Sequence, residues 1–226
     1  MHLDLTAFLQ AWQHDPSGMD VRTIDTEGGR TVLQVRVSLG VLQMELDGRP
    51  DGGHPTALAD ISETTGELSP EQILRLREEI AQFDARIQAL LMLGDPARAA
   101  QDGDHIRQIG LLLADRTHDD ALAVQHLRRG ITLRARAAAE AALTGKRTDL
   151  ARLAIDDALR ELRALIPAEA CATANDIQLL EGMLELLIPR LPASQRVELE
   201  SRLQDALRAE NYELAAILRD ELRLMR

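Results

Sequence analysis

Ser69-Pro70-Glu71-Gln72-Ile73-Leu74-Arg75-Leu76-Arg77-Glu78-Glu79-Ile80-Ala81-Gln82-Phe83 reads as the opening of a long helix. Serine is a good N-cap, because its hydroxyl can accept from an amide that has no partner within the helix. Pro70 suits the first helical position, where an N–H would go unbonded, and Gln72 completes a capping box. Ile73, Leu76, Ile80, Phe83, Ile87 and Leu90 then recur at three- and four-residue spacing, the signature of one buried helical face. Gly94 ends that run and Asp95-Pro96 begins the next helix.

Toward the C-terminus the helical signal continues. Thr117 with Asp120 forms a second capping box. Val124, Leu127, Ile131, Ala135, Ala138 and Ala142 give the following helix its stripe, and Gly145 ends it. Further helices are predicted over about 149–166, 175–188, 195–209 and 211–226, with Pro167, Pro189 and Pro192 separating them. Three turns overlay: Leu91, Ala99 and Asp104; Leu143, Ala151 and Asp156; Leu207, Ala215 and Asp220. In each, alanine follows leucine by eight residues and aspartate follows alanine by five. A small residue just past a turn lets two antiparallel helices approach closely. The arrangement resembles the helix–turn–helix units of tetratricopeptide-like solenoids, although the units are unequally spaced.

Toward the N-terminus, residues 3–13 read as a short helix with Leu5, Phe8, Leu9 and Trp12 on one face, broken by Asp15-Pro16-Ser17-Gly18. Met19–Asp25 and Thr31–Leu39 read as strands joined at Thr26-Glu27-Gly28-Gly29. After Gly40 the alternation slips by one residue to Leu42, Met44 and Leu46, which calls for a bulge or a second turn. Asp47-Gly48-Arg49-Pro50-Asp51-Gly52-Gly53 is turn chemistry. The expected fold is therefore mainly α, an array of antiparallel helical hairpins with a small N-terminal β-hairpin region. Its expected parts are 1–53, a linker over 54–68, the hairpin array over 69–190, and a two-helix tail over 193–226.

That tail, Leu203-Gln204-Asp205-Ala206-Leu207-Arg208-Ala209-Glu210-Asn211-Tyr212-Glu213-Leu214-Ala215-Ala216-Ile217-Leu218-Arg219-Asp220-Glu221-Leu222, is the most specific stretch of the chain. It resembles the UVR motif, shared by the C-terminus of the excision-repair subunit UvrB, by UvrC, and by some Clp-type chaperone and kinase-activator proteins. Tyr212-Glu213, Ala215-Ala216 and Arg219-Asp220 fill the motif's aromatic–Glu, small-pair and Arg–Asp places, with Tyr where Phe is usual. The run Val35–Gly52 also resembles a segment of bacterial proteins with a helical middle and a UVR tail, which brings no assigned activity. The residues agree with the resemblance: Leu199, Leu203, Ala206 and Leu207 share one face, and Leu214, Leu218, Leu222 and Met225 another. Ala215 and Ala216 allow close contact near the turn. Tyr212 can cover the open end with its hydroxyl in water, and Arg219 and Asp220 can bond across the helices. A lone two-helix hairpin cannot bury both faces, so it must cap the rest of the chain or bind a partner. The expected partner-binding residues are Leu203, Leu207, Tyr212, Ala215, Ala216, Leu218, Arg219, Asp220 and Leu222.

Composition narrows the function classes. Aromatics are only 2% (Phe8, Trp12, Phe83, Tyr212), so the core is aliphatic and base-stacking platforms are lacking. The net charge of −11 repels nucleic acid and anionic lipid, so neither is an expected partner. Cys171 is the only cysteine, which excludes an intramolecular disulfide and fits a reducing, cytoplasmic setting. The start Met1-His2-Leu3-Asp4-Leu5 lacks the basic, apolar pattern of a signal peptide, and no apolar run has membrane-spanning length. The six histidines are scattered, and His118 with Asp115, Asp119 and Asp120 reads as a solvated helix start rather than a metal site. Lys146 lies in no phosphate-binding loop. No metal or cofactor is expected. The residues thus point to a non-catalytic interaction protein acting through a second copy or a partner hairpin. The partner expected from the resemblance is UvrB/UvrC-like or Clp-type, and an accessory role in nucleotide excision repair beside UvrB/UvrC-type partners is one alternative. An enzyme with its site at the Gly-rich loop 47–53 is the other, disfavoured because no nucleophile–base set converges there.

Overall fold

The computed structural model describes residues 6–13, 19–38, 40–117, 121–187, 193–208 and 211–224. In chain order these form α1 (Thr6–Ala11), β1 (Asp20–Asp25), β2 (Thr31–Val37), β3 (Gly40–Glu45), α2 (Ala57–Ser62), α3 (Pro70–Leu93), α4 (Pro96–Arg116), α5 (Ala121–Thr144), α6 (Thr148–Leu165), α7 (Ala168–Cys171), α8 (Asn175–Leu187), α9 (Ala193–Arg208) and α10 (Tyr212–Leu224). The protein is mainly α, and after Ser69 the described residues contain no strand. Two compact units divide the chain, Met1–Leu180 and Glu181–Arg226.

In the first unit the β region has three strands rather than two. β1, β2 and β3 form an antiparallel meander, with Leu33 opposite Met44 and Val35 opposite Leu42. The slip at Gly40 is thus a second turn, and it sets Leu33, Val35 and Met44 on one face against Ala89 of α3. On the opposite face Gln34 and Arg36 are buried alongside Val32, with the Arg22 guanidinium donating to Gln34 and Gln34 donating to Gln43. The segment 54–68 differs from the expected linker in being packed. It contains α2, whose N-cap Thr56 accepts from the Ala59 amide, and it buries Ala57, Ile61 and Leu68. Four apolar residues are too few to announce a helix by period, and the preceding glycines masked it.

α3 starts as its sequence dictates. Ser69 accepts from the Gln72 amide while the Gln72 side chain accepts from the Ser69 amide. Leu76, Ile80, Phe83, Ile87 and Leu90 are buried against Ile106, Ile109 and Leu113 of α4. At about 1.5–3 kcal/mol for each fully buried large aliphatic side chain, this seam dominates the stability of the unit. α5 departs from its predicted single stripe. Val124 is exposed, whereas Ala123, Leu127, Ile131, Leu133, Ala135, Ala137 and Ala139 are buried. The reason is that α5 packs on α4 along one side and on α6 along another. Thr117 is the C-cap of α4, its hydroxyl donating to the Leu113 carbonyl. Its predicted capping partner Asp120, with His118 and Asp119, lies outside the described residues.

The three overlaid turns share their geometry. The amides of Asp95, Arg147 and Asn211 donate to the carbonyls of Leu90, Ala142 and Ala206, each five residues back, at 2.8–2.9 Å. Gly94 and Lys146 adopt the left-handed conformation this turn requires, with φ of 77° and 57°. Ala99, Ala151 and Ala215 are each the fourth residue of the second helix, and all three are buried.

Closer still is the crossing of α4 on α5. A Cβ added to Gly103 would lie 2.7 Å from the Arg134 Cα, one on Gly110 2.5 Å from the Leu127 Cα, and one on Gly130 2.6 Å from the Arg107 Cα. Backbone lies on backbone at three successive levels, with glycine the only residue that fits.

Candidate functional site

The second unit holds the C-terminal hairpin. Asn211 caps α10, its side-chain oxygen accepting from the Leu214 amide at 3.1 Å while its own amide donates to the Ala206 carbonyl. Ala206, Ala215 and Leu218 form a buried cluster, with Leu199 and Leu203 packed against it. The predicted partner residues separate into two groups. Ala215 and Leu218 are buried inside the seam, and Leu203, Ala216 and Leu222 are half-buried along it. Leu207, Tyr212 and Arg219 are exposed. Tyr212, 68% exposed, does not close the open end, and Leu207, 50% exposed, lies outside the apolar seam expected of it. Leu214 is exposed as well. Leu207, Tyr212 and Leu214, on either side of the turn in sequence, are thus exposed apolar side chains. The side chain of Asp220, and with it the expected bond to Arg219, lies outside the described residues.

A second constellation escaped the sequence reading. The loop 47–53 docks on α3 and α4 through charged side chains. Arg86, 3% exposed, donates to both oxygens of the buried Asp102 at 2.6 and 2.7 Å, and its remaining Nη1 donates to the carbonyls of Glu45 and Gly48. The Phe83 ring lies under its guanidinium at 4.8 Å and stacks on His105 at 4.0 Å. His105 Nε2 lies 2.8 Å from Glu79, whose carboxylate also accepts from the amides of Ala57 and Leu58. Arg49 grips Asp51 through two hydrogen bonds. A cavity of about 230 Å³ lies between this loop and the two helices. The missed signal is positional: Glu79 and Arg86 are seven residues apart, on the same face as Phe83 and Ile87. A charge on an apolar stripe calls for a buried partner.

These groups titrate in opposite directions. Asp51 is pulled down to about 2, chiefly by the Arg49 hydrogen bonds and then by the Gly53 amide. Burial pushes Glu79 up, but His105 and the two amides outweigh it and hold the carboxyl below its usual range. Burial raises Asp102, against the pull of Arg86. Asp51 and Glu79 are thus depressed in the folded state. The stability they contribute is complete above their unfolded values and fades as pH falls, for Asp51 toward about 2. Carbon-13 titration of the carboxyl groups should give Asp51 a midpoint near 2; a midpoint near its unperturbed value of ~4 would contradict the Arg49–Asp51 hydrogen bonds.

Among the described residues no His, Cys, Asp and Glu side chains cluster as a metal site, and no helix is long and apolar enough to cross a membrane. No curated protein and no solved structure matches the chain. One family model does match it, "UVR: UvrB/uvrC motif", over residues 194–226. That interval takes in the C-terminal hairpin of α9 and α10, so the similarity to the UVR motif is confined to the tail of the chain.

Proposed function

We propose that this protein is a non-catalytic adaptor whose UVR hairpin captures a like two-helix hairpin, in a second copy of the chain or in a partner. The observation that carries the reading is the exposure of Leu207, Tyr212 and Leu214 around a turn that matches the motif. Here the seam is closed by Ala206, Ala215 and Leu218 with Leu199 and Leu203 packed against them, and Leu207, Tyr212 and Leu214 are left exposed beside it. UvrB/UvrC-type proteins, which carry the same motif, are the first partners to test, with Clp-type proteins next; an accessory role in excision repair would follow from the former. The net charge of −11 argues against direct binding of DNA.

The loop 47–53 supports the non-catalytic reading. Arg49, Asp51 and the Gly53 amide are bonded to one another, and Arg86, Asp102, Glu79 and His105 hold the loop and α2 in place. Truncation after residue 192 tests the proposal. The shortened chain should keep its helices and lose association with a purified UvrB-type hairpin and with itself; association that survives truncation would overturn it.

A further inference from the structure

We infer that a groove lined by α3, α5 and α8 is a second binding site, one that takes an extended acidic peptide segment of a partner protein. The groove holds about 700 Å³ and lies within the first unit, apart from the UVR hairpin in sequence. α5 supplies three arginines to it, Arg128, Arg129 and Arg136. Arg136 is exposed and has no ion-pair or hydrogen-bond partner among the described residues. Arg128 spends Nε and Nη2 on Asp176, and Arg129 spends the same two nitrogens on Asp84. Each keeps its Nη1 unbonded among the described residues. A groove in a chain of net charge −11 thus presents one whole guanidinium and two unused guanidinium edges.

Around these donors lie groups suited to a peptide backbone. Gln88 of α3, Gln125 of α5 and Asn175 of α8 reach the groove from three helices, and none of their side-chain amides has a hydrogen-bond partner among the described residues. Each amide carries both a donor and an acceptor, which matches the alternating N–H and C=O groups of an extended chain. Leu179, 47% exposed, and the buried Leu133 give an apolar seat beside the arginines. Guanidinium forks recognise carboxylates in bidentate geometry. A bare inorganic anion would leave most of this volume and all three amides unused. A single-stranded nucleic acid would also meet the arginines, but no aromatic side chain lines the groove on which a base could stack.

Fluorescence anisotropy on the full chain decides it, with three labelled probes: a short peptide of glutamate and leucine, its glutamine and leucine counterpart, and oligothymidylate. The glutamate peptide should bind, the glutamine peptide at least ~10-fold more weakly, as expected from losing charge-assisted hydrogen bonds. Arg136→Glu should cost the glutamate peptide ~10-fold or more with the circular dichroism spectrum unchanged. Arg160→Glu, an equal charge change at an exposed site on α6 outside the groove, should leave binding unaltered. Equal binding of the two peptides, equal loss in both variants, no binding of the glutamate peptide, or preference for oligothymidylate would each overturn the inference.

Discussion

Replacing Gly130 with alanine should lower the unfolding temperature, whereas the same change at Gly182 should raise it. Both glycines lie in helices, so both substitutions recover about 0.5–1 kcal/mol of helix propensity. At Gly182 nothing lies within 4 Å of the added Cβ, and the gain stands alone. At Gly130 the methyl group would meet the backbone of Arg107, 2.6 Å from its Cα, where carbon atoms pack at about 3.5–4.0 Å. Neither helix can yield locally, because Gly103 and Gly110 hold the same crossing equally close. Overpacking costs ~1–3 kcal/mol when side chains can adjust, and here only backbones can. A net loss of about 2 kcal/mol corresponds to roughly 4–8 °C in a unit of this size. Differential scanning calorimetry reads both signs in one experiment, and stabilisation by Gly130→Ala would refute the backbone contact.

The larger effect belongs to Arg86. Arg86→Met should cost about 3–5 kcal/mol, because it leaves the buried Asp102 carboxylate unpaired. The carbonyls of Glu45 and Gly48 lose their donor in the same step. The double change Arg86→Met with Asp102→Leu should recover much of that loss, since replacing both members of a buried pair with apolar groups is far milder than removing one. The pH dependence has a definite sign. Burial raises Asp102, and without Arg86 nothing comparable opposes it. A group with a raised folded pKa favours the folded state at low pH, so the deficit of Arg86→Met should shrink as pH falls and grow as pH rises through that value. Urea midpoints at two pH values, for the single and double variants, test both statements. A double variant as unstable as the single one would remove the pair from the account.

The parts of the fold that sequence made plain are those where local and tertiary signals agree. Ser69, Pro70 and Gln72 cap α3, Gly94 ends it and Asp95 caps α4, as their residue types require. The three-turn repeat was visible because one small residue and one turn geometry recur together. What stayed hidden was set by tertiary partners. α5 is buried on two sides by neighbours no periodicity names, which is why Val124 faces solvent and Ala137 does not. Gly103, Gly110 and Gly130 interrupt no apolar period, and only the crossing of α4 on α5 makes them contact points. α2 is too short to show a period, and it is held by the Glu79 carboxylate, a partner that no local pattern names. In the tail, the motif located the hairpin, but its outward surface, Leu207 and Tyr212 with Leu214, came from the packing of α9 on α10.

The double substitution Leu207→Glu with Leu214→Glu addresses that outward surface directly. Both side chains are exposed, so the hairpin should still close on Ala206, Ala215 and Leu218. Sedimentation velocity of the full chain, alone and mixed with a purified UvrB-type hairpin, should show association in at least one case for the natural sequence. The variant should lose it while its far-ultraviolet circular dichroism is unchanged. Association that persists in the variant, or its absence from both cases for the natural sequence, would contradict the assignment of the hairpin as the partner-binding surface.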